Sequence, residues 1–452
     1  MREIKPLNRS HIDAYADIAF NAYPSFKDFS KEAMDAYKEE AVFIMEQDPV
    51  VTFYGMFDGD ELVAVMRLFD FEMNCFGKVI PVSGLGFLGV HLMHKKKGIA
   101  KEMVDFYEAH YRERQMPIGL LLPFRPDFYK RMGYGLGTKM NQYRIPASRL
   151  PKANTFPKYG VASAPKVSYV KANELDALLA CHNRVVPGTH GMIAKFGDEI
   201  RPIFGDPFNH VVGAYNSDGV LAGYMVYTFK NAKAGNYTMT DLIVKELIYQ
   251  GPEDLQALLE FLRTQADQIN LVVFNTEDEY FYHLFDNPLN DTHNYIPYGY
   301  LETNTQAIGA MYKVFDVAMA FRQCAHRNYG GATSVVRFII HDNFTHPSRG
   351  EEVTRGEEVT QGAVPNGGSG LIEDVCVSFE NGIAVSVSSG RAVGVDVTAW
   401  LSIADFSTLF LGVTSVRGLH QLGLLRVDRP ELLDQLDRMF YYHQKPVCYT
   451  DF

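Results

Sequence analysis

Cysteine is sparse in this chain. Cys75, Cys181, Cys324, Cys376 and Cys448 stand singly among 452 residues. An odd count with no close pair argues against a disulfide framework and against a zinc site. That usage suits a reduced compartment, and a cytoplasmic protein is expected. Long apolar runs are missing too: nothing approaches the roughly eighteen consecutive residues of a membrane span, so none is expected. The start, Met1-Arg2-Glu3-Ile4-Lys5-Pro6, lacks an apolar signal core, so export by a standard signal is not expected. Positive charge is in deficit, 43 Lys and Arg against 54 Asp and Glu, a formal net charge of -11. Sequence-independent nucleic-acid binding needs a basic face, so no nucleic-acid partner is expected. The acidic balance suits a cationic substrate, because negative clefts concentrate cations; it suits plain solubility equally well.

What is present is an ordinary globular composition, 47% apolar and 21% charged, in a chain long enough for two to four domains. Residues 1–150 read as mixed α/β. Ser30 is an N-cap for a helix over 31–47. Strand-like runs over 50–57 and 61–71 flank Phe57-Asp58-Gly59-Asp60, whose Asp-Gly is a hairpin signal. A Gly-rich strand over 82–90 leads through a basic loop into a helix over 101–112. A short apolar strand over 118–123 comes next, then a helical turn over 128–135 stopped by glycine.

Residues 147–166 carry three prolines and read as a linker. A second α/β segment follows, with strands near 211–215, 219–230 and 236–244 and a helix over 254–268. It loosely repeats the first, but Leu242 to Ile248, taken as the counterpart of the basic loop, holds no glycine and one lysine. No second cofactor site is expected there. From about 305 strands recur near 335–341, 372–380 and 384–388. A polar insert near 345–370 contains the tandem copy Arg349-Gly350-Glu351-Glu352-Val353-Thr354 and Arg355-Gly356-Glu357-Glu358-Val359-Thr360, and reads as a mobile, solvent-exposed loop.

The most informative stretch is His94-Lys95-Lys96-Lys97-Gly98-Ile99-Ala100, between the Gly-rich strand and its helix. The first N–H groups of a helix have no intrahelical partner and the helix dipole favours an anion there, so a strand–basic loop–helix passage suits a pyrophosphate. Gly98 allows close approach of a ligand to the backbone.

Three motifs carry a family resemblance. The spacing Lys95-x-x-Gly98-x-Ala100 is similar to the acyl-CoA loop of the GNAT acetyltransferases, Arg/Gln-x-x-Gly-x-Gly/Ala, with lysine replacing the first residue and holding phosphate as a point charge. Phe128-Tyr129-x-x-x-Gly133-Tyr134 resembles the segment whose tyrosine protonates the leaving CoA thiolate in many of those enzymes. Pro446-Val447-Cys448-Tyr449-Thr450-Asp451-Phe452 resembles the end of the Eis family. That resemblance implies an α/β (α+β) chain in three parts: a GNAT domain over 1–150, a GNAT-like domain without a cofactor loop over 151–304, and a sterol-carrier-protein-like domain over 305–452.

The resemblance further implies an acetyl-CoA-dependent N-acetyltransferase acting on amines of cationic small molecules, aminoglycoside-like or polyamine, at one or several positions, in a homo-oligomer of hexameric type. Tyr129 is then the general acid and the terminal carboxylate of Phe452 the general base. Acetyl-CoA contacts fall on Leu88, Gly89, Val90, Lys95, Lys96, Lys97, Gly98, Ile99, Ala100, Lys101 and Phe124. No metal is expected, and lone histidines such as His94 and His110 read as surface or packed residues. Tyr23, Phe26, Asp28 and Phe29 are placed on the acceptor wall, and Asp451 adds a negative charge for an ammonium. Phe26 and Asp28 read equally as a helix end. Burial would raise the carboxylate's pKa toward a base's task. Cys448 reads as structural. A rival reading keeps the chain as a lipid- or ligand-binding protein with a degenerate acetyltransferase domain.

Overall fold

The computed structural model describes residues 2–24, 29–152, 165–236, 239–292, 294–296, 298–341, 371–390 and 392–452. The expected linker core and the 345–370 insert, with its tandem copy, lie outside the described residues, as do Phe26 and Asp28.

The first sheet contains β1 (Arg2–Pro6), β2 (Val51–Asp58), β3 (Glu61–Cys75), β4 (Lys78–Val90), β5 (Ile118–Leu121) and β6 (Gly135–Leu136). It is seven-stranded in the order β1-β2-β3-β4-β5, then the distant strand Met311–Val314, then β6. β2 and β3 are joined at Gly59, whose φ of +61° suits the hairpin turn. Alternation along β3 sends Val65, Phe69 and Phe71 to one face and Ala64, Met66 and Leu68 to the other. The first face is covered by α1 (Ile12–Ala22) and α2 (Lys31–Gln47) through Tyr15, Ile18, Ala41 and Ile44; Ser30 caps α2 by accepting the Ala33 N–H at 3.2 Å. The second face is covered by α3 (Ile99–Glu113) and α4 (Pro126–Arg131). The apolar side of α3 is Ile99, Met103, Val104, Tyr107 and Tyr111, the i, i+4 and i+3 spacing of a packed helix.

The second sheet repeats the plan with β7 (Lys139–Pro146), β8 (Lys166–Tyr169), β9 (His210–Tyr215), β10 (Leu221–Asn231), β11 (Thr240–Tyr249) and β12 (Ile269–Thr276). Its order is Asn304–Ile308, β7, β12, β11, β10, β9, β8. α5 (Leu175–Val185) and α6 (Gly197–Gly205) pack on one face, α7 (Pro252–Arg263) on the other. A five-stranded sheet, with Ser334–His341 at its centre, forms the third unit.

Linear boundaries at 150 and 305 cut across these sheets. β7 lies before 150 yet pairs with β12 in the second sheet, and Met311–Val314 lies after 305 yet pairs with β5 and β6 in the first. One apolar cluster runs from the α1/α2 face of the first sheet into the third unit, joining Phe71 and Phe76 to Phe321 and Phe410. Among the described residues no helix is long and apolar enough to cross a membrane.

Candidate active site

β4 and β5 run parallel, but they pair only at Ser83↔Gly119, Gly84↔Leu120 and Leu85↔Leu121. β5 then stops while β4 continues to Val90, so the strands splay. On its other side β4 carries a bulge: its register against β3 slips between Arg67↔Gly86 and Val65↔Gly89, and Phe87 takes a φ of +52°. A groove of about 580 Å³ opens from the splay, lined among others by Tyr23, Leu88, Val90, Lys95, Lys96, Gly98, Ile99, Ala100, Lys101, Phe124, Phe128 and Tyr129.

The basic loop is built as an anion cradle. Lys96 and Gly98 hold φ of +65° and +81°, which turns the chain sharply into α3. Gly98 is the N-cap and offers no side chain, so nothing from the cap competes for the first-turn N–H groups. Lys95, Lys96 and Lys97 are exposed, and among the described residues none makes an ion pair. Arg125 and Arg131 face the groove from α4 and share the carboxylate of Asp127, which they hold well below the usual range. A diphosphate-bearing ligand therefore fits the chain's own groups here: unpaired helix-start amides, left-handed loop backbone and unneutralised lysines.

Tyr129 is buried and lines the groove, and its hydroxyl has no hydrogen-bond partner among the described residues. Burial pushes its pKa far above the ordinary phenol value, with the Tyr23 hydroxyl adding to the effect. It therefore stays protonated across the physiological range. Tyr23 donates to the Leu88 carbonyl at 2.8 Å, and burial lifts its own pKa to about 12. Leu88 therefore already spends one carbonyl lone pair on the protein.

The α1/α2 face carries the chain's last residue. The ring of Phe452 packs edge-on against Phe69 and Phe71 at centroid distances of 5.4 and 5.0 Å. A Cβ on Gly86 would lie 3.0 Å from the Phe452 carbonyl carbon. Phe452 thus lies packed beside the bulge. Asp451 keeps an exposed surface, but desolvation by the protein packed around it raises its carboxyl's pKa, with Lys195 opposing and Glu246 reinforcing the shift.

Of the expected cofactor contacts, Gly89 and Lys97 do not line the groove. A Cβ on Gly89 would meet Ala22 and Ile18, so that residue's side faces α1, away from the splay. The counterpart of the basic loop also falls elsewhere than expected. Leu242–Ile248 is strand β11, and the passage into α7 is the dipeptide Gln250-Gly251. There the Gly251 N–H donates to Asp254 at 3.1 Å.

Several residues gave no sequence signal. Arg67 sits between the rings of Phe53 and Phe87 and donates to Tyr15 at 2.9 Å. Behind the tail, buried Lys195 bonds Glu246 at 2.7 Å and approaches Glu199 at 3.4 Å, leaving Glu199 Oε2 without a partner. Burial raises Glu199 to about 7; Glu246, despite its own burial, is held at about 2 by Lys195 and His182. Isolated charges inside apolar runs read as surface positions, so only the fold reveals them. Glu61, His91 and His94 bring three ligand atoms within 4.8 Å of one another; His94 already bonds Glu61 at 3.2 Å.

Comparison with known proteins agrees with this geometry. Residues 3–137 and 198–300 each match an acetyltransferase (GNAT) domain, and residues 325–449 match a sterol carrier protein domain. An uncharacterized N-acetyltransferase of Streptomyces avermitilis is 26% identical over 216 residues, 46% of this chain and 52% of that protein. The N-acetyltransferase Eis of Mycobacterium tuberculosis is 25% identical over 126 residues, 27% of this chain and 31% of its own. The chain thus spans about half the length of the first of these curated relatives and less than a third of the second. Eis1 from Mycobacterium abscessus shares the fold over 100% of both chains, with a TM-score of 0.71 at 18% identity. The chain thus carries two GNAT acetyltransferase domains followed by a sterol carrier protein domain, and it is similar to the Eis N-acetyltransferases over part of its length.

Proposed function

We propose that the chain transfers the acetyl group of acetyl-CoA directly to an amine of a cationic small molecule, aminoglycoside-like or polyamine. The observation that carries this is the groove itself, where an unneutralised basic helix start and a buried, protonated tyrosine open into one splay. When bound, acetyl-CoA supplies the activated thioester. Lys95, Lys96 and the amides from Gly98 to Ala100 hold its pyrophosphate, and Leu88 and Val90 offer backbone groups to the pantetheine arm. Tyr129 gives its proton to the sulfur. The Phe452 carboxylate, beside Gly86, takes the proton from the amine, and Asp451 draws the cation toward it. Much of the rate comes from holding two reactants in line.

This reading includes a cytoplasmic location and a homo-oligomer, hexameric as the family resemblance implies. It is tested by incubating the full chain with acetyl-CoA and a panel of amines. CoA thiol release together with a mass gain of acetyl units on the amine is expected. The lipid- or ligand-binding alternative predicts neither acetyl-CoA binding nor acetylated product.

A further inference from the structure

The second sheet also opens a splay. β11 and β12 pair in parallel only as far as Val244↔Phe274, after which β11 runs to Tyr249 and β12 to Thr276. In the first sheet the same opening leads to the groove. In the second it holds the chain's own tail.

The Tyr449 hydroxyl faces Thr276, Glu277, Asp278 and Tyr249, at the far ends of both strands, and its body packs on the α5/α6 side of the sheet. Glu277, the first residue past β12, is 3% exposed, and its Oε2 accepts the Cys448 N–H at 2.5 Å. Thr138 donates to the Pro446 carbonyl at 2.6 Å, and the Val447 N–H donates to the His190 carbonyl at 2.8 Å. Gly191, at φ +84°, leaves the room: a Cβ there would stand 2.6 Å from the Pro446 Cα.

A phosphate ligand has little to hold in this second opening. The helix start after β11 has no lysine; its Gly251 N–H is taken by Asp254, and Glu253 lies beside it. We propose that the second GNAT domain serves as a dock, in which Cys448 and Tyr449 occupy the cleft a cofactor would take and Glu277 is the positioning residue that sets the tail's register. Cys448 and Phe452 are four residues apart, and an extended chain advances about 3.3 Å per residue. A slip of one residue at Glu277 therefore carries the terminal carboxyl a full residue away from Gly86. The catalytic consequence rests on the proposed role of Phe452; the docking itself does not.

Hydrogen exchange read by mass spectrometry on the full chain tests the dock, with Glu277→Leu and Glu277→Gln beside the wild type. Amides of residues 447–452 should exchange about tenfold or more faster in Glu277→Leu, the effect of losing one buried hydrogen bond. Glu277→Gln, whose amide oxygen still accepts the N–H, should stay near wild type. If Glu277→Leu does not fold, Thr138→Val, which removes the bond to Pro446, carries the same expectation. Equal tail protection in the disruptive variant and the wild type overturns the proposal. In parallel, kcat for acetyl transfer should fall with KM for acetyl-CoA unchanged. A loosened tail with unaltered turnover upholds the dock and removes Phe452 from the reaction.

Discussion

Gly86→Ala should separate cofactor binding from turnover. The added Cβ would stand 3.0 Å from the Phe452 carbonyl carbon, 3.3 Å from its oxygen and 2.9 Å from Phe69 Cε2. Carbon contacts relax at about 3.5–4.0 Å, so the terminal carboxyl must retreat by roughly 0.5–1 Å. Phe69 can swing its ring edge, but Phe452 is packed edge-on against both that ring and the Phe71 ring stacked on it. A displacement of about 1 Å in a positioned group lowers turnover by up to ~10²-fold, or about 2.7 kcal/mol of transition-state stabilisation. Overpacking should lower stability by about 1–3 kcal/mol, which is too little to unfold a well-packed domain. Steady-state kinetics should show kcat down ten- to a hundredfold (about 1.4–2.7 kcal/mol), while calorimetry shows acetyl-CoA affinity unchanged, because neither Gly86 nor Phe452 lines the groove. Unchanged kcat in a folded Gly86→Ala protein would refute a carboxyl that acts from this position.

Tyr129→Phe should cut kcat by about 10²–10⁴-fold at constant acetyl-CoA affinity, the usual worth of a general acid, as read by thiol release. Replacing Lys95 and Lys96 together with alanine should weaken acetyl-CoA binding by about tenfold, or ~1.4 kcal/mol, with a smaller difference at high salt; titration calorimetry at two ionic strengths measures it. Burial raises the Glu277 carboxyl to about 8 from 4.5, opposed by the Cys448 N–H, so the folded state binds this proton more tightly than the unfolded one. The associated stability is fully present below about pH 4.5 and is lost as pH rises through about 8. Its size is on the order of a few kcal/mol, and chemical denaturation across that window should show the slope in the wild type and a flatter profile in Glu277→Gln.

Local chemistry was legible in the residues themselves. Ser30 caps its helix, Asp58-Gly59 turns its hairpin, and Lys95 to Ala100 opens α3, because each depends on neighbours a few positions away. Strand exchange was not legible. Met311–Val314 is a strand, and nothing local in its residues says that its partners are β5 and β6. The counterpart of the basic loop was misplaced for a related reason: Leu242–Ile248 looked like that loop, whereas its β-branched residues continue the strand and the turn is only Gln250-Gly251. The surroundings of the tail were the least readable. Arg67, Lys195, Glu199 and Glu277 are single polar residues whose burial comes from packing between elements distant in sequence, and such positions carry no periodic or motif signal.

In the proposed reaction the groove beside β4 binds acetyl-CoA and delivers its acetyl group to an amine. The most direct test is a single-turnover reaction of the purified chain with isotopically labelled acetyl-CoA and a polyamine or aminoglycoside, followed by mass spectrometry. Label on the amine, with one CoA thiol released per acetyl group gained and loss of both signals in Tyr129→Phe, is the predicted result. Failure of the chain to bind acetyl-CoA, or thiol release with no label on the amine, would rule out acetyl transfer from this groove.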